Sequence, residues 1–437
     1  MNRVYTEEVP EESGKKVKVS GWIDTKRALG KIIFLILRDR KGKIQLIIKK
    51  KEVGDELFEK VKELTEESVI SATGKVELNE EAPGGIEIKP EEIEILNKSE
   101  ASLPIDFSDK VNTSLSKRLD WRYLDLRNPD KLLIFKVLNT VERAMKEYCY
   151  ENGLIEINTP KLMSIASETG AELFELDYFE DRKAYLAQSP QIYKQMAVAS
   201  GMEKVFEQGP VFRANPSHTS RHDTEFTMFD VELGFIDSEE DVMKFEEKWL
   251  QYIFKKVKEK HGEEINKTFG VEVKVPETPF PRVTWNEALE ELRKNSKGEK
   301  PSEIGSNEEK EIGKYINEKE NHEFVFLTEF PYEERPFYHM KKENNLEVTK
   351  SFDLLFKGLE ITTGAQREHR HEKLMKQIKE KGMEAEKYKF YLDMFKYGCP
   401  PHGGYAVSPT RIVMKILELG NVRESTLFPR DTERLKP

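Results

Sequence analysis

Gly209-Pro-Val-Phe-Arg213 and Glu225-Phe-Thr-Met-Phe-Asp-Val-Glu-Leu-Gly-Phe235 flank the loop Ala214-Asn-Pro-Ser-His-Thr-Ser-Arg-His-Asp-Thr224, and the fold turns on how this stretch is read. The second run alternates with period two, which predicts a strand. Phe229, Val231, Leu233 and Phe235 share one parity and suit a core. Phe226, Met228, Asp230 and Glu232 share the other, and a ring with two carboxylates suits a site. The loop carries Arg213, His218, Arg221 and His222 among Asn215, Ser217, Thr219 and Ser220. Three or four cationic groups on a hairpin make a receptor for a polyanion such as ATP. On spacing alone, the same loop is equally a solvated hairpin tip.

The wording separates the two readings. Phe212-Arg213-Ala214, Arg221-His222 and Glu225-Phe226 resemble the second signature motif of class II aminoacyl-tRNA synthetases. Ser220-Arg-His-Asp-Thr-Glu-Phe-Thr227 is close to their aspartyl/asparaginyl branch. The resemblance implies that Arg213 holds the α-phosphate and the amino-acid carboxylate. It implies that Phe226 stacks on adenine, and that Arg221 and His222 reach the outer phosphates.

Outward from this stretch, composition sets limits. The chain has 437 residues, enough for two or three domains, and 35% are charged. A net charge of -10 means that RNA binding depends on local basic patches. Cys149 and Cys399 give neither a disulfide framework nor a zinc cluster, which predicts a reducing cytoplasm. The start has no apolar signal region, and no run reaches membrane-spanning length, so no membrane partner is expected.

Residues 15–98 read as five strands, with a helix near 55–64 between the third and fourth, the pattern of an OB-fold. The pattern is similar to the anticodon-binding domain of aspartyl-, asparaginyl- and lysyl-tRNA synthetases. By that resemblance Phe34 stacks on an anticodon base, Gln45 and Glu87 read bases, and Lys26 and Arg27 serve phosphates. The expected domains are a barrel over 1–100, a hinge over 101–130 and a catalytic domain over 131–437. Within the last, residues 262–345 read as containing a variable insertion, Glu/Lys-rich over 297–321.

In the catalytic part, Lys131–Glu151 has helical spacing and Gly153 as its stop. With Leu154–Pro160 it resembles the first class II motif, a dimer interface in the family, so a homodimer is implied. Ser164–Phe174 resembles the family's mobile loop, with Glu168 meeting the substrate ammonium. Gln188-Ser-Pro-Gln-Ile-Tyr-Lys-Gln195 opens a helix with Ser189 as N-cap and Pro190 at its first position. Gln191 and Lys194 share a face of that helix. In the aspartyl enzymes this Lys binds the substrate side-chain carboxylate, and Asp230 joins that site.

Ser351-Phe-Asp-Leu-Leu-Phe-Lys-Gly-Leu-Glu-Ile-Thr-Thr363 reads as a hairpin turning at Lys357-Gly358. Pairing Phe356 with Leu359 sets Asp353 opposite Thr362 and makes Asp353 and Glu360 diagonal neighbours. Two such carboxylates call for a cation, and Mg²⁺ carried by ATP phosphates is the natural partner. Gly364-Ala-Gln-Arg-Glu368 resembles the string whose Arg, here Arg367, binds the aspartate carboxylate beside Thr363. Ser408 and Pro409 fit the N-cap and first position of a last helix. Arg411 then stands in its first turn and resembles the arginine of the third class II motif.

The family implied is the aspartyl-tRNA synthetases of archaeal type, in subclass b of class II. The fold is α+β, an OB barrel followed by an antiparallel sheet flanked by helices. The implied reaction joins aspartate to ATP and passes the aspartyl group to tRNA-Asp. Asparaginyl-tRNA synthesis, or an aspartate-activating paralogue that charges no tRNA, are the alternatives. Three positions depart from the family pattern. Asn215 stands for a Glu near adenine, Ser408 for a Gly, and Thr410 for an acidic residue. In the barrel, Asp24 matches neither tRNA-selective nor relaxed enzymes, whereas Pro83 matches the relaxed type, which points to use of tRNA-Asn as well. A Lys194 ammonium about 4 Å from the substrate carboxylate predicts an aspartate preference worth about 4 kcal/mol at an effective dielectric of about 20.

Overall fold

A computed structural model describes residues 1–106, 112–165, 173–216, 219–295 and 301–437. They form two compact units, Met1–Thr113 and Ser114–Pro437.

In the first unit, β1 (Lys16–Leu29), β2 (Ile32–Arg38), β3 (Lys43–Lys49), β4 (Val69–Leu78) and β5 (Ile86–Asn97) close a barrel in the order β1-β2-β3-β5-β4. The long first strand makes closure possible. Its first half pairs with β4 and its second with β2, and the register slips between Ile23 and Thr25 where it changes partner. Alternate residues such as Val17, Val19, Ile33, Leu35 and Ile88 fill the interior. α1 (Asp55–Lys62) covers the barrel with Phe58 and Val61. Gly74 is required: a Cβ there would fall 2.0 Å from the Lys89 carbonyl oxygen.

In the second unit, α2 (Pro129–Glu151) is capped by the Asn128 side chain and starts on Pro129. Beyond it lie β6 (Ile155–Glu156) and a small sheet of β7 (Leu162–Met163), β8 (Glu175–Tyr178) and β9 (Arg182–Leu186). There follow α3 (Gln191–Ala197), β10 (Lys204–Phe212), β11 (Glu225–Gly234) and α4 (Glu239–Phe269). The C-terminal half supplies β12 (Arg282–Thr284), α5 (Trp285–Asn295), α6 (Ser306–Glu320), β13 (Phe324–Thr328), β14 (Ser351–Phe356), β15 (Leu359–Gln366), α7 (His371–Glu380), β16 (His402–Val407) and α8 (Pro409–Ile416). The main sheet runs β12-β13-β14-β15-β16-β11-β10-β6. Helices α2, α4 and α8 bury one of its faces through Val137, Trp249, Ile412 and the strand residues Phe229, Val231, Tyr405 and Val407. The other face is left for the site.

Several local expectations change. The sheet is not wholly antiparallel: β6 runs parallel to β10 and β12 parallel to β13. Parallel neighbours need a long crossover, and α5–α6 is the crossover from β12 to β13. The charged stretch inside 262–345 is therefore part of the sheet's wiring. α4 is opened by a capping box that joins Ser238 to Asp241. α3 begins one residue later than expected, with Pro190 at the cap, although Ser189 Oγ still accepts from the Gln191 amide at 3.3 Å. Phe235 is 68% exposed with φ 58°, because β11 ends at Gly234 and the chain turns away from the core.

Candidate active site

β10 and β11 pair with Phe212 opposite Glu225 and Glu207 opposite Asp230. This register turns Phe226, Met228 and Asp230 to the open face, where they line a chamber of about 530 Å³ with Gln191, Arg213, Arg335, His339, Thr363 and Arg367. A second chamber of about 180 Å³ adjoins it and is lined by Asn215, Arg221, His222, Asp223, Thr410 and others. Arg213, Phe226, Glu360, Ser408 and Arg411 border both.

The β14–β15 hairpin departs from the flat register. Leu355 faces Glu360, but Leu354 faces Thr362, so Ile361 is an extra residue and Asp353 lies opposite Thr363, not Thr362. Glu360 and Thr363, three apart, would point to opposite faces of a flat strand. The bulge brings them together, and the Thr363 hydroxyl donates to Glu360 Oε1 at 3.1 Å. Thr362 is displaced to the buried side.

The chamber's floor is a charge network. Lys194 Nζ lies 3.0 Å from Asp230 Oδ1 and 3.3 Å from Glu232 Oε2, and it also reaches the Val231 and Tyr405 carbonyls at 3.4 and 3.3 Å. Its side chain is 1% exposed. Four oxygens thus surround the three N–H donors of Lys194, which are fully engaged within the protein. Arg367 donates to Glu232 through Nε at 3.1 Å, to the Gly404 carbonyl at 3.0 Å and to His339 Nε2 at 2.9 Å. Burial pushes the Glu232 carboxyl up, but Arg367 and Lys194 outweigh it and hold the group below its ordinary range. Burial raises Asp230 despite Lys194.

At the junction of the chambers, Arg411 donates to the Glu360 carbonyl at 3.0 Å and lies 3.7 Å from its carboxylate. Ser408 caps α8, accepting from the Arg411 amide, and contacts the Thr410 hydroxyl at 3.0 Å. Burial acts against the Glu360 charge, and Arg411, Arg335 and Arg221 reverse it. Asp353 is raised by burial, although Arg335 holds its Oδ2 at 2.7 Å. Asp353 Oδ1 is buried without a hydrogen-bond partner. That oxygen and Glu360 suit Mg²⁺, which takes one or two carboxylates and completes its shell with water and phosphate. Among the described residues no group of three or more His, Cys, Asp or Glu is arranged as a metal cage. Arg213 lies over the Phe226 ring, 5.5 Å from its centre. His222 is not a cation: burial, then Arg411 and Arg221, depress it to about 4.

This two-chambered site on the open face of the sheet has known relatives. Residues 114–432 match tRNA synthetases class II (D, K and N), and residues 17–96 match the OB-fold nucleic acid binding domain. The chain belongs to the class II tRNA synthetases of the D, K and N group. The synthetase is 46% identical over 436 residues to an aspartate–tRNA(Asp) ligase of Pyrococcus abyssi, covering 99% of each chain. It is also 46% identical, again over 99% of each, to an aspartate–tRNA(Asp/Asn) ligase of Methanopyrus kandleri. The solved asparaginyl-tRNA synthetase of Pyrococcus horikoshii with asparaginyl-adenylate superposes with a TM-score of 0.92 at 36% identity, over 100% of both chains.

The synthetase therefore gathers Ser189, Gln191, Arg213, Phe226, Asp230, Glu360, Thr363, Arg367, Ser408 and Arg411 around one chamber, with Lys194 beneath it. Glu168 falls outside the described residues. Sequence reading missed Arg335 and His339, whose loop carries no periodic signal. Gln377 pins that loop by donating to the Phe337 and His339 carbonyls. Guanidinium can only donate, so His339 Nε2 accepts from Arg367 and the ring proton sits on Nδ1. That Nδ1–H is buried without a partner.

In the barrel, Phe34 is half-buried on the outer face opposite exposed Arg27. Gln45 donates to Glu87 at 2.7 Å. Lys26 is not a free phosphate contact: its ammonium is spent on the Lys62 and Leu64 carbonyls at the end of α1. Asp24 is held by Arg38 at 2.9 Å and Lys43 at 2.7 Å, and Pro83 is exposed in a turn.

Proposed function

We propose that this synthetase is an aspartate–tRNA ligase of archaeal type, in subclass b. It activates L-aspartate with ATP to aspartyl-adenylate and transfers the aspartyl group to the 3′ end of tRNA. The observation that carries this reading is the cationic end of the larger chamber. Arg367 stands on its wall and Lys194 beneath it, matched to a side-chain carboxylate that asparagine lacks. Asp230 and Gln191, whose Nε2 is buried without a partner, receive the ammonium and the carboxylate oxygens. Glu168 would add a second anion for the ammonium.

ATP occupies the junction and the smaller chamber. Adenine stacks on Phe226, and Asn215 and Thr410 border it. Arg213 meets the α-phosphate, and Arg221, His222 and Arg411 meet the outer phosphates. His222 does so as a neutral donor. Glu360 and Asp353 would hold Mg²⁺ arriving with the phosphates, and when bound it would supply positive charge near the leaving pyrophosphate. No side-chain nucleophile is needed, because the substrate's own carboxylate attacks once positioned opposite the leaving group.

Phe34, Gln45, Glu87 and Arg27 make the anticodon face of the barrel. Asp24 is neutralised by two cations, and Pro83 offers no backbone N–H. We read both as leaving the first anticodon base unselected, so tRNA-Asn is charged along with tRNA-Asp. The catalytic units pair as a homodimer, a reading supported by exposed Tyr150 and Ile155 along the sheet's β6 edge.

The deciding experiment is ATP–pyrophosphate exchange with aspartate or asparagine, with and without tRNA, followed by charging of the two transcripts. Aspartate-dependent exchange with charging of both transcripts is expected. Comparable exchange with asparagine would favour the asparaginyl alternative.

A further inference from the structure

The helix that the sequence assigns to an exposed insertion reaches the nucleotide site. α6 rests directly on the β14–β15 turn. A Cβ at Gly313 would fall 2.6 Å from Gly358 Cα, and one at Gly358 would fall 2.7 Å from Lys310 Cα. Backbone touches backbone with no side chain between, so the first turn of α6 is fixed beside Glu360. Glu309 lies in that turn and is 8% exposed. One of its oxygens, Oε2, accepts from Arg221 Nη1 at 2.8 Å and from the Glu360 amide at 3.3 Å. Arg411 donates to the carbonyls of the same two residues, Glu360 at 3.0 Å and Arg221 at 3.4 Å. Arg221 and Glu360 are thus each held by both Glu309 and Arg411.

A solvent-exposed ion pair is worth little. Here the side chains of Arg221 and Glu309 are only 20% and 10% exposed. Burial and Glu360 work against the Glu309 charge, and Arg221 supports it. An arginine held by such a pair has given up its rotamer freedom before any ligand arrives.

We propose that Glu309 is a positioning residue of the nucleotide site, holding the Arg221 guanidinium and the Glu360 peptide where the outer phosphates and their cation meet them. This rests on the reading of the smaller chamber as the triphosphate site. α6 is then a working part of that site, and Glu309 acts on ATP without touching the aspartate chamber.

The test is calorimetric titration of the full-length protein with a non-hydrolysable ATP analogue and Mg²⁺, without amino acid or tRNA, alongside KM values from exchange. Glu309→Ala should weaken analogue binding and raise the ATP KM roughly ten- to a hundredfold, the range for a lost charge-assisted hydrogen bond, and leave the aspartate KM unchanged. Glu309→Gln keeps an acceptor oxygen without the charge and should fall between Ala and wild type. In an Arg221→Ala background, Glu309→Ala should cost clearly less than it does in wild type, because only its weaker hold on the Glu360 amide at 3.3 Å is left to lose. Unchanged analogue binding in both Glu309 variants would overturn the proposal, as would tighter binding or effects that multiply across the double variant. Should Glu309→Ala fail to fold, the Gln variant and its double variant with Arg221→Ala carry the same comparison. Wild-type protein that binds no analogue would instead refute the triphosphate reading itself.

Discussion

Replacing Lys194 by Leu tests the amino-acid reading most directly. The ammonium is ringed by oxygens at 3.0–3.4 Å, so a substrate carboxylate sits one layer further out, at about 6 Å. At an effective dielectric of about 20, a unit charge at that distance is worth about 3 kcal/mol. That is a preference of roughly a hundredfold at 1.36 kcal/mol per decade, below the 4 kcal/mol that direct contact would give. The floor holds two cations, Lys194 and Arg367, against two anions, Asp230 and Glu232. Without Lys194, Arg367 still compensates Glu232, while Asp230, already raised by burial, loses the cation held 3.0 Å away and takes up a proton. That proton also removes the anion that meets the substrate ammonium. Lys194→Leu should therefore cut the aspartate-over-asparagine ratio in exchange by roughly a hundredfold. It should also lower stability by up to about 3–5 kcal/mol, reduced by Asp230 protonation. Exchange rates for both amino acids, with calorimetric melting on the same samples, separate the two effects. A folded variant with an unchanged ratio would refute the reasoning.

Three further outcomes are expected. His339→Leu should raise the aspartate KM and spare the ATP KM, and His339→Asn, which can both donate and accept, should restore much of the loss; equal effects of the two in exchange assays would exclude a donor role. Glu246 is fully buried and raised to about 8 by burial, with the Thr362 hydroxyl opposing. The folded state keeps this proton and the unfolded state releases it near 4.5, so the stability present below pH 4.5 is lost as pH rises through 8, about 5 kcal/mol in all; Glu246→Gln should raise the melting temperature at pH 8 and flatten that limb, and equal pH slopes in the two proteins would count against it. Glu360→Gln and Arg411→Ala should each reduce adenylate formation by roughly two orders of magnitude or more, the scale of one lost transition-state contact, with tRNA binding intact in filter assays; near-normal exchange would mean that these residues do not meet the phosphates.

The sequence by itself determined the elements whose signal is local. Period-two runs placed the barrel strands and β11, and Ser408-Pro409 marked the start of α8, because alternation and capping are properties of neighbouring residues. The motif strings also picked out Arg213, Phe226, Glu360, Arg367 and Arg411, which line the chamber together. Only the tertiary structure decided what depends on distant partners. The Ile361 bulge brings Glu360 and Thr363 to one face, and strand spacing cannot announce it, because it depends on how β14 and β15 pair. Lys194 is saturated by oxygens from β11 and β16, and Lys26 is drawn to the end of α1, so neither is the free cation that its charge suggested. Arg335 and His339 enter the site from a loop pinned by Gln377. Glu309 enters it from a helix whose composition reads as solvent-facing, because a backbone contact between Gly313 and Gly358 brings that helix against the hairpin.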